Sequence, residues 1–120
     1  MGYILVIYDD AEDFENVRLF LTFCGYKIEA CSDWEEARSL FESDLNCDLV
    51  IAKAKIGETN GNDIARYVRN SRKSQTPIMA IGGPEDNIDP NLFSSVLTTP
   101  LKLKVLEENV ASFATPMKWV

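Results

Sequence analysis

The sequence predicts an α/β domain, a doubly wound five-stranded parallel sheet with helices on both faces. Short, continuous runs rich in β-branched residues recur along the chain, as in strands buried on both faces. Between them stand segments with apolar residues at helical spacing. Parallel strands need crossover connections, and those segments supply them.

Taken in order, Ile4-Leu5-Val6-Ile7 is the first such run and ends in Tyr8-Asp9-Asp10. From Glu12 to Cys24, the residues Phe14, Val17, Leu21 and Cys24 recur at helical spacing, with Gly25 placed as a C-terminal cap. Tyr26 to Cys31 reads as a second strand. Ser32-Asp33-Trp34-Glu35 then has the form of a capping box opening a helix with Trp34, Ala37, Leu40 and Phe41 inward. Asp48 to Ala52 is a third apolar run, followed by a loop through Gly57 and Gly61. Ile64, Ala65 and Val68 mark a third helix, which leads into the basic stretch Arg66, Arg69, Arg72, Lys73, read as a solvated helix end. Pro77 to Ile81 is a fourth strand, with Pro at its first residue. Gly82-Gly83-Pro84 ends it, and Glu85 to Phe93, containing Pro90, has room for one or two helical turns. Val96-Leu97-Thr98 is a fifth strand, and Leu103, Leu106, Val110 and Phe113 give the last helix its inner face. The expected total is five strands and five helices, with no repeat or low-complexity segment.

At 120 residues and 46% apolar composition the chain is one domain, long enough to bury a core without staples. Twelve Lys and Arg against 19 Asp and Glu give a net charge of −7, which opposes nucleic acid as a partner. There is no His, the commonest zinc ligand and proton shuttle. Cys24, Cys31 and Cys47 include no C-x-x-C pair and fit a reducing cytosol, with Cys24 and Cys31 as small core residues. No apolar run approaches the roughly 20 residues that span a bilayer, so a soluble, cytoplasmic protein without membrane contact is expected.

In doubly wound sheets ligands sit at the carboxyl ends of the strands. That directs attention to Tyr8 to Asp10, Ala52 to Lys55, Gly82-Gly83 and Thr98 to Leu101. With these segments the chain resembles the receiver domain of two-component response regulators over residues 3–113. The carriers are Ile4-Leu-Val-Ile-Tyr-Asp-Asp, Asp48-Leu-Val-Ile-Ala-Lys, Pro77-Ile-Met-Ala-Ile-Gly-Gly, Leu97-Thr-Thr-Pro-Leu and the helix ending at Cys24-Gly25-Tyr26. The resemblance implies the flavodoxin-like strand order 2-1-3-4-5, with a shortened fourth helix because Gly82 and Thr99 stand closer than is usual. It also implies a site whose chemistry departs from the family's. Receivers bind Mg²⁺ through two acids after the first strand plus a phosphoaccepting Asp, and sense the phosphoryl group through a Thr or Ser and a Lys. On that pattern Tyr8 replaces the first acid, Asp9 is the second and Asp10 a third, less constrained one. Lys53 falls at the phosphoacceptor position, Gly82 at the hydroxyl, Thr99 at the Lys and Val96 at the switch aromatic. Thr99-Pro100 matches a peptide bond that the family usually holds cis. Asp48 opens its strand about 16 Å from Lys53 and cannot substitute. Glu58 and Asp63 are the other acids within reach of the loop.

An ammonium forms no acyl phosphate and repels Mg²⁺, so Lys53 is expected to pair with Asp9 and Asp10 where the metal would sit. The expected function is that of a pseudo-receiver, a non-enzymatic module without cofactor or metal. It works through a protein partner or output domain, or as a homodimer through its first or fifth helix. Residues 1–113 form the receiver-like domain and 114–120 a tail or linker start. Two alternatives stand beside it. One is a small-molecule or nucleotide sensor at the strand ends, though no Gly-rich phosphate loop follows the first strand. The other is a residual phosphotransfer enzyme using a displaced acid, which Lys53 opposes.

Overall fold

In the strand Tyr3–Ile7 (β1) all five residues are buried, because successive side chains point to opposite faces and both faces are covered. The computed structural model describes residues 2–9, 11–44, 46–71 and 73–116. After β1 come Ala11–Phe23 (α1), Ile28–Cys31 (β2), Trp34–Ser43 (α2), Cys47–Lys53 (β3), Lys55–Ile56 (β4) and Thr59–Asn60 (β5). Gly61–Arg69 (α3), Ile78–Gly82 (β6), Ser95–Thr98 (β7) and Leu103–Ala111 (α4) complete the chain. The main sheet runs β2-β1-β3-β6-β7, every neighbouring pair parallel. This is the expected order, five parallel strands with β1, β3 and β6 in the middle.

Alternation along the central strands divides the core in two. Leu5, Ile7, Val50, Ala52, Ile78 and Ala80 meet α2 and α3 through Ala37, Phe41, Ile64 and Val68. Ile4, Val6, Leu49, Ile51, Met79 and Ile81 meet α1 and α4 through Val17, Leu21, Leu106 and Val110. Cys31 and Cys47 are buried, which pushes both thiols up to about 11, and Cys24 is half-buried. Gly25 closes α1 with φ +98, a conformation that favours glycine, its N–H reaching the Thr22 carbonyl at 3.0 Å. The side chain of Phe14 lies outside the described residues, as do Asp10, Arg72 and residues 117–120.

Four expectations change. The loop after β3 contains an antiparallel hairpin, β4 with β5, turned by Gly57 at φ +59. The fourth helix is not a short α-helix but two 3₁₀ turns, Pro84–Asp86 and Pro90–Leu92, so among the described residues four α-helices stand where five were expected. Each turn begins with a Pro, which suits a first helical position and cannot continue a ladder. The cap of α2 is Asp33, not Ser32, its carboxylate accepting the Glu36 N–H at 2.8 Å. Leu103, expected inward, is 38% exposed at the first turn of α4.

Candidate functional site

The carboxyl ends of β1, β3, β6 and β7 bring together the residues singled out by spacing, and alternation decides which way each one faces. Tyr8 is in phase with Ile4 and Val6, so its ring is buried among the residues on the α1 and α4 side. There it borders a cleft of about 380 Å³ shared with Asn16, Thr99, Pro100 and Leu101. Asp9 emerges from the core. Its Oδ1 accepts from Lys53 Nζ at 2.7 Å, and its Oδ2 accepts from the Gly57 N–H at 2.9 Å. Asp10 is outside the described residues, so the described pair is Lys53 with Asp9.

About a third of each side chain in the pair remains exposed, 36% for Lys53 and 32% for Asp9. Partial burial raises the Asp9 pKa. The Lys53 hydrogen bond, the Gly57 N–H and the Lys53 charge outweigh it and leave the carboxyl below its ordinary value. Gly57 is what makes the second hydrogen bond available, since its positive φ turns the hairpin so that the N–H meets Asp9.

Gly82 ends β6 against that hairpin's root. A Cβ placed there would lie 2.6 Å from the Ala54 Cβ, 2.9 Å from Asp86 Oδ2 and 2.9 Å from Ile88 Cδ1. Since Ala54 has no rotamer to change, the position admits no side chain without backbone movement. Thr99 is exposed, donates its N–H to the Gly82 carbonyl at 3.2 Å and precedes a cis bond to Pro100, as expected. Val96 is half-buried on β7 against the α2 and α3 side of the core. The other acids stand elsewhere. Asp48 lies exposed at the start of β3 against Gly2, Glu58 is exposed at the hairpin tip, and Asp63 pairs with Arg66 on α3 at 2.8 Å.

Mg²⁺ is the cofactor the receiver pattern implies, and the described residues do not fit it. Asp9 has an ammonium on one oxygen and a peptide N–H on the other. Among the described residues no group of three acids, Cys or His comes together to hold a metal. Nor is any described helix long and apolar enough to cross a membrane.

The family model for the flagellar regulatory protein FleQ matches residues 3–112. The chain belongs to the FleQ family. This FleQ-family chain is also 29% identical, over 89% of its own length, to the regulatory protein VanRB of Enterococcus faecalis, and covers 50% of that protein. With the response regulator MprA of Mycolicibacterium vanbaalenii it shares 33% identity over 65% of its length, covering 33% of MprA. The chain thus spans half or less of these curated relatives. Among solved structures, a response regulator receiver protein from Pseudomonas putida superposes with TM-score 0.81 at 24% identity, covering 92% of this chain and 96% of the other. The chemotaxis response regulator CheY4 of Vibrio cholerae gives 0.81 at 19%, covering 93% and 98%. At those identities the structures establish the fold. Together with the family model they make this FleQ-family chain a receiver-like domain of two-component signalling.

Two contributors to the site carried weaker signals in the sequence. Gly57 sits in Ile56-Gly57-Glu58-Thr59, where a glycine between short apolar segments marks a turn. Asn62 donates Nδ2 to the Asn87 carbonyl at 3.0 Å and accepts the Asp89 N–H at 3.0 Å, which ties α3 to the 3₁₀ segment. That pairing spans 25 and 27 residues, beyond the reach of local pattern.

Proposed function

We propose that this FleQ-family domain is a pseudo-receiver, a non-enzymatic cytoplasmic module whose signalling through protein contacts does not depend on phosphorylation. The observation that carries the reading is the Lys53–Asp9 ion pair, which sets a cation at the end of β3 where a receiver keeps its phosphoaccepting carboxylate. Tyr8 turned into the core, Gly82 closed by Ala54 and Thr99 in place of a Lys support it. The contacts we assign are with a protein partner or an output domain, or with a second copy through the first or last helix. Residues 1–113 are then the signalling unit and 114–120 the start of a connection. The family's name directs the proposal to flagellar regulation.

Amide-resolved NMR with Mg²⁺ and beryllofluoride, a phosphoryl mimic, tests it. No shifts are expected at Asp9, Lys53 and Gly82, and shifts there overturn the reading. In the companion experiment Lys53→Asp should give a measurable heat of Mg²⁺ binding that the natural chain lacks, and no heat for the variant counts against the geometry. A second reading, a small-molecule sensor, rests on the cleft beside Tyr8, whose volume of about 380 Å³ lies at the lower end of ligand sites. Shifts around Asn16 and Thr99 with nucleotides, and none with beryllofluoride, would favour it.

A further inference from the structure

Of the eight Asn in the chain, Asn60 alone is followed by Gly, and the fold explains both residues. Asn60 is the N-cap of α3, its Oδ1 accepting the Asn62 N–H at 2.7 Å. Gly61 packs against the end of β3. A Cβ on it would stand 3.0 Å from the Ala54 carbonyl oxygen and 3.2 Å from the Ala54 Cα, both main-chain atoms that cannot turn aside. The pair is chemically labile, because a Gly amide nitrogen is the least hindered one that can reach the side-chain carbon of a preceding Asn. Here the closed hairpin withholds it. Gly61 is buried and its N–H donates to the Ala54 carbonyl at 2.7 Å, while the Asn60 side chain is engaged in the cap. The closure is slight. β4 and β5 have two residues each, and the hairpin is tied down by buried Ile56 and by the Gly57 N–H on Asp9.

We propose that Asn60 is a site of spontaneous deamidation, gated by the β4–β5 hairpin. When the hairpin opens, the Gly61 nitrogen gives its proton to solvent and attacks Asn60 Cγ. The new C–N bond closes a succinimide ring, and the side-chain nitrogen takes up a proton and leaves as ammonia. Water then adds to either ring carbonyl and breaks one C–N bond, giving Asp or isoaspartate with no oxidant or reductant. The fold treats the two products differently. Asp at position 60 keeps the cap, adds a negative charge at the N-terminal end of α3 and stands directly across from Lys55, so the hairpin recloses. Isoaspartate carries the main chain through the side-chain carbon, one methylene longer. It loses the register with Lys55 and the cap oxygen, and with them the turn that presents the Gly57 N–H to Asp9. The modification thus reaches the Asp9–Lys53 pair from outside it.

The inference goes beyond the protein-contact function and does not rest on it. The natural chain, held at mildly alkaline pH and sampled over days, is read by mass for the exchange of NH₂ for OH and by isoaspartyl methyltransferase for isoaspartate. A peptide of residues 55–66 supplies the unprotected rate, and amide exchange at Gly61 supplies the open fraction. Conversion is expected at Asn60 ahead of every other Asn, at the peptide rate multiplied by that fraction. Asp9→Ala removes the acceptor of the Gly57 N–H and should speed conversion about tenfold. Gly57→Ala, strained at φ +59 with open space around it, loosens the turn without touching Asp9 and should speed it too. An Asn60 that stays intact past the time so calculated, another Asn that converts first, or a rate that both variants leave unchanged overturns the inference. Shifts with Mg²⁺ and beryllofluoride would sink phosphorylation independence and leave this site standing.

Discussion

Asp9 is held at both oxygens, by an ammonium and by a peptide N–H, and the two partners differ in what they contribute. An ion pair a third exposed is screened by water, so Lys53→Met should cost no more than about 1 kcal/mol in urea unfolding. Asp9→Ala also strips the Gly57 N–H of its acceptor and should cost more, about 1–2 kcal/mol. The pH dependence has a definite sign. The Asp9 pKa is lowered on folding, so its contribution is present above the unfolded value near 3.9 and fades as pH falls through the folded one. The gap between the natural chain and Lys53→Met should therefore be full at pH 6 and shrink as pH falls below the unfolded carboxylate value near 3.9; a gap unchanged as acid is added would remove the ion pair as its cause. At this scale the sequence was informative where spacing fixes position. The receiver resemblance, carried by Tyr8-Asp9-Asp10 at the end of the first run and Lys53 at the end of the third, placed both partners. The Gly57 N–H was not legible, because it depends on a turn whose direction is set in three dimensions.

The elements divide in the same way. Helices with a strong apolar stripe and strands with continuous apolar runs were visible, since their periods are local. The β4–β5 hairpin was not, having two residues per strand and no alternation long enough to count. The α2 cap was read one residue early because Ser32 and Asp33 both qualify by type, and only the helix start at Trp34, with the Glu36 N–H on the Asp33 carboxylate, decides between them. Asp33→Ala should cost about 1 kcal/mol and Ser32→Ala a few tenths in the same denaturation experiment, and equal costs would reassign the cap. The 3₁₀ segment depends on Asn62 in α3, which bonds its backbone twice. Asn62→Ala should cost about 1–2 kcal/mol and accelerate amide exchange in residues 84–92 while β1, β3 and β6 stay protected. Uniform acceleration across the sheet would mean that the clamp holds the whole domain and not this segment.

For the molecule as a whole, the sheet is a partition with one apolar cluster on each side, and β1, β3 and β6 contribute to both. That arrangement was the most legible property of the sequence, because residues buried on both faces leave no polar alternation to mislead. It also makes the central strands the most sensitive to lost volume. Ile51 is fully buried in β3, and Ile51→Ala should lower stability by about 2–5 kcal/mol, at the cost of much of a small domain's total. A loss below about 1 kcal/mol would mean that the two layers slide to fill the space. The net charge of −7 is a second global property, and its concentration in the first half was plain by counting. That Asp9 carries its own cation was expected from Lys53 at the end of the third run, not from the charge count.

The contact between Gly82 and Ala54 has a historical consequence. On the pseudo-receiver proposal, a carboxylate placed at position 53 does not by itself admit a hydroxyl side chain at position 82, because the methyl group of Ala54 stands 2.6 Å from where the new side chain would begin. On the same proposal, a return to phosphotransfer needs changes at positions 54 and 82 together, so the contact acts as a ratchet.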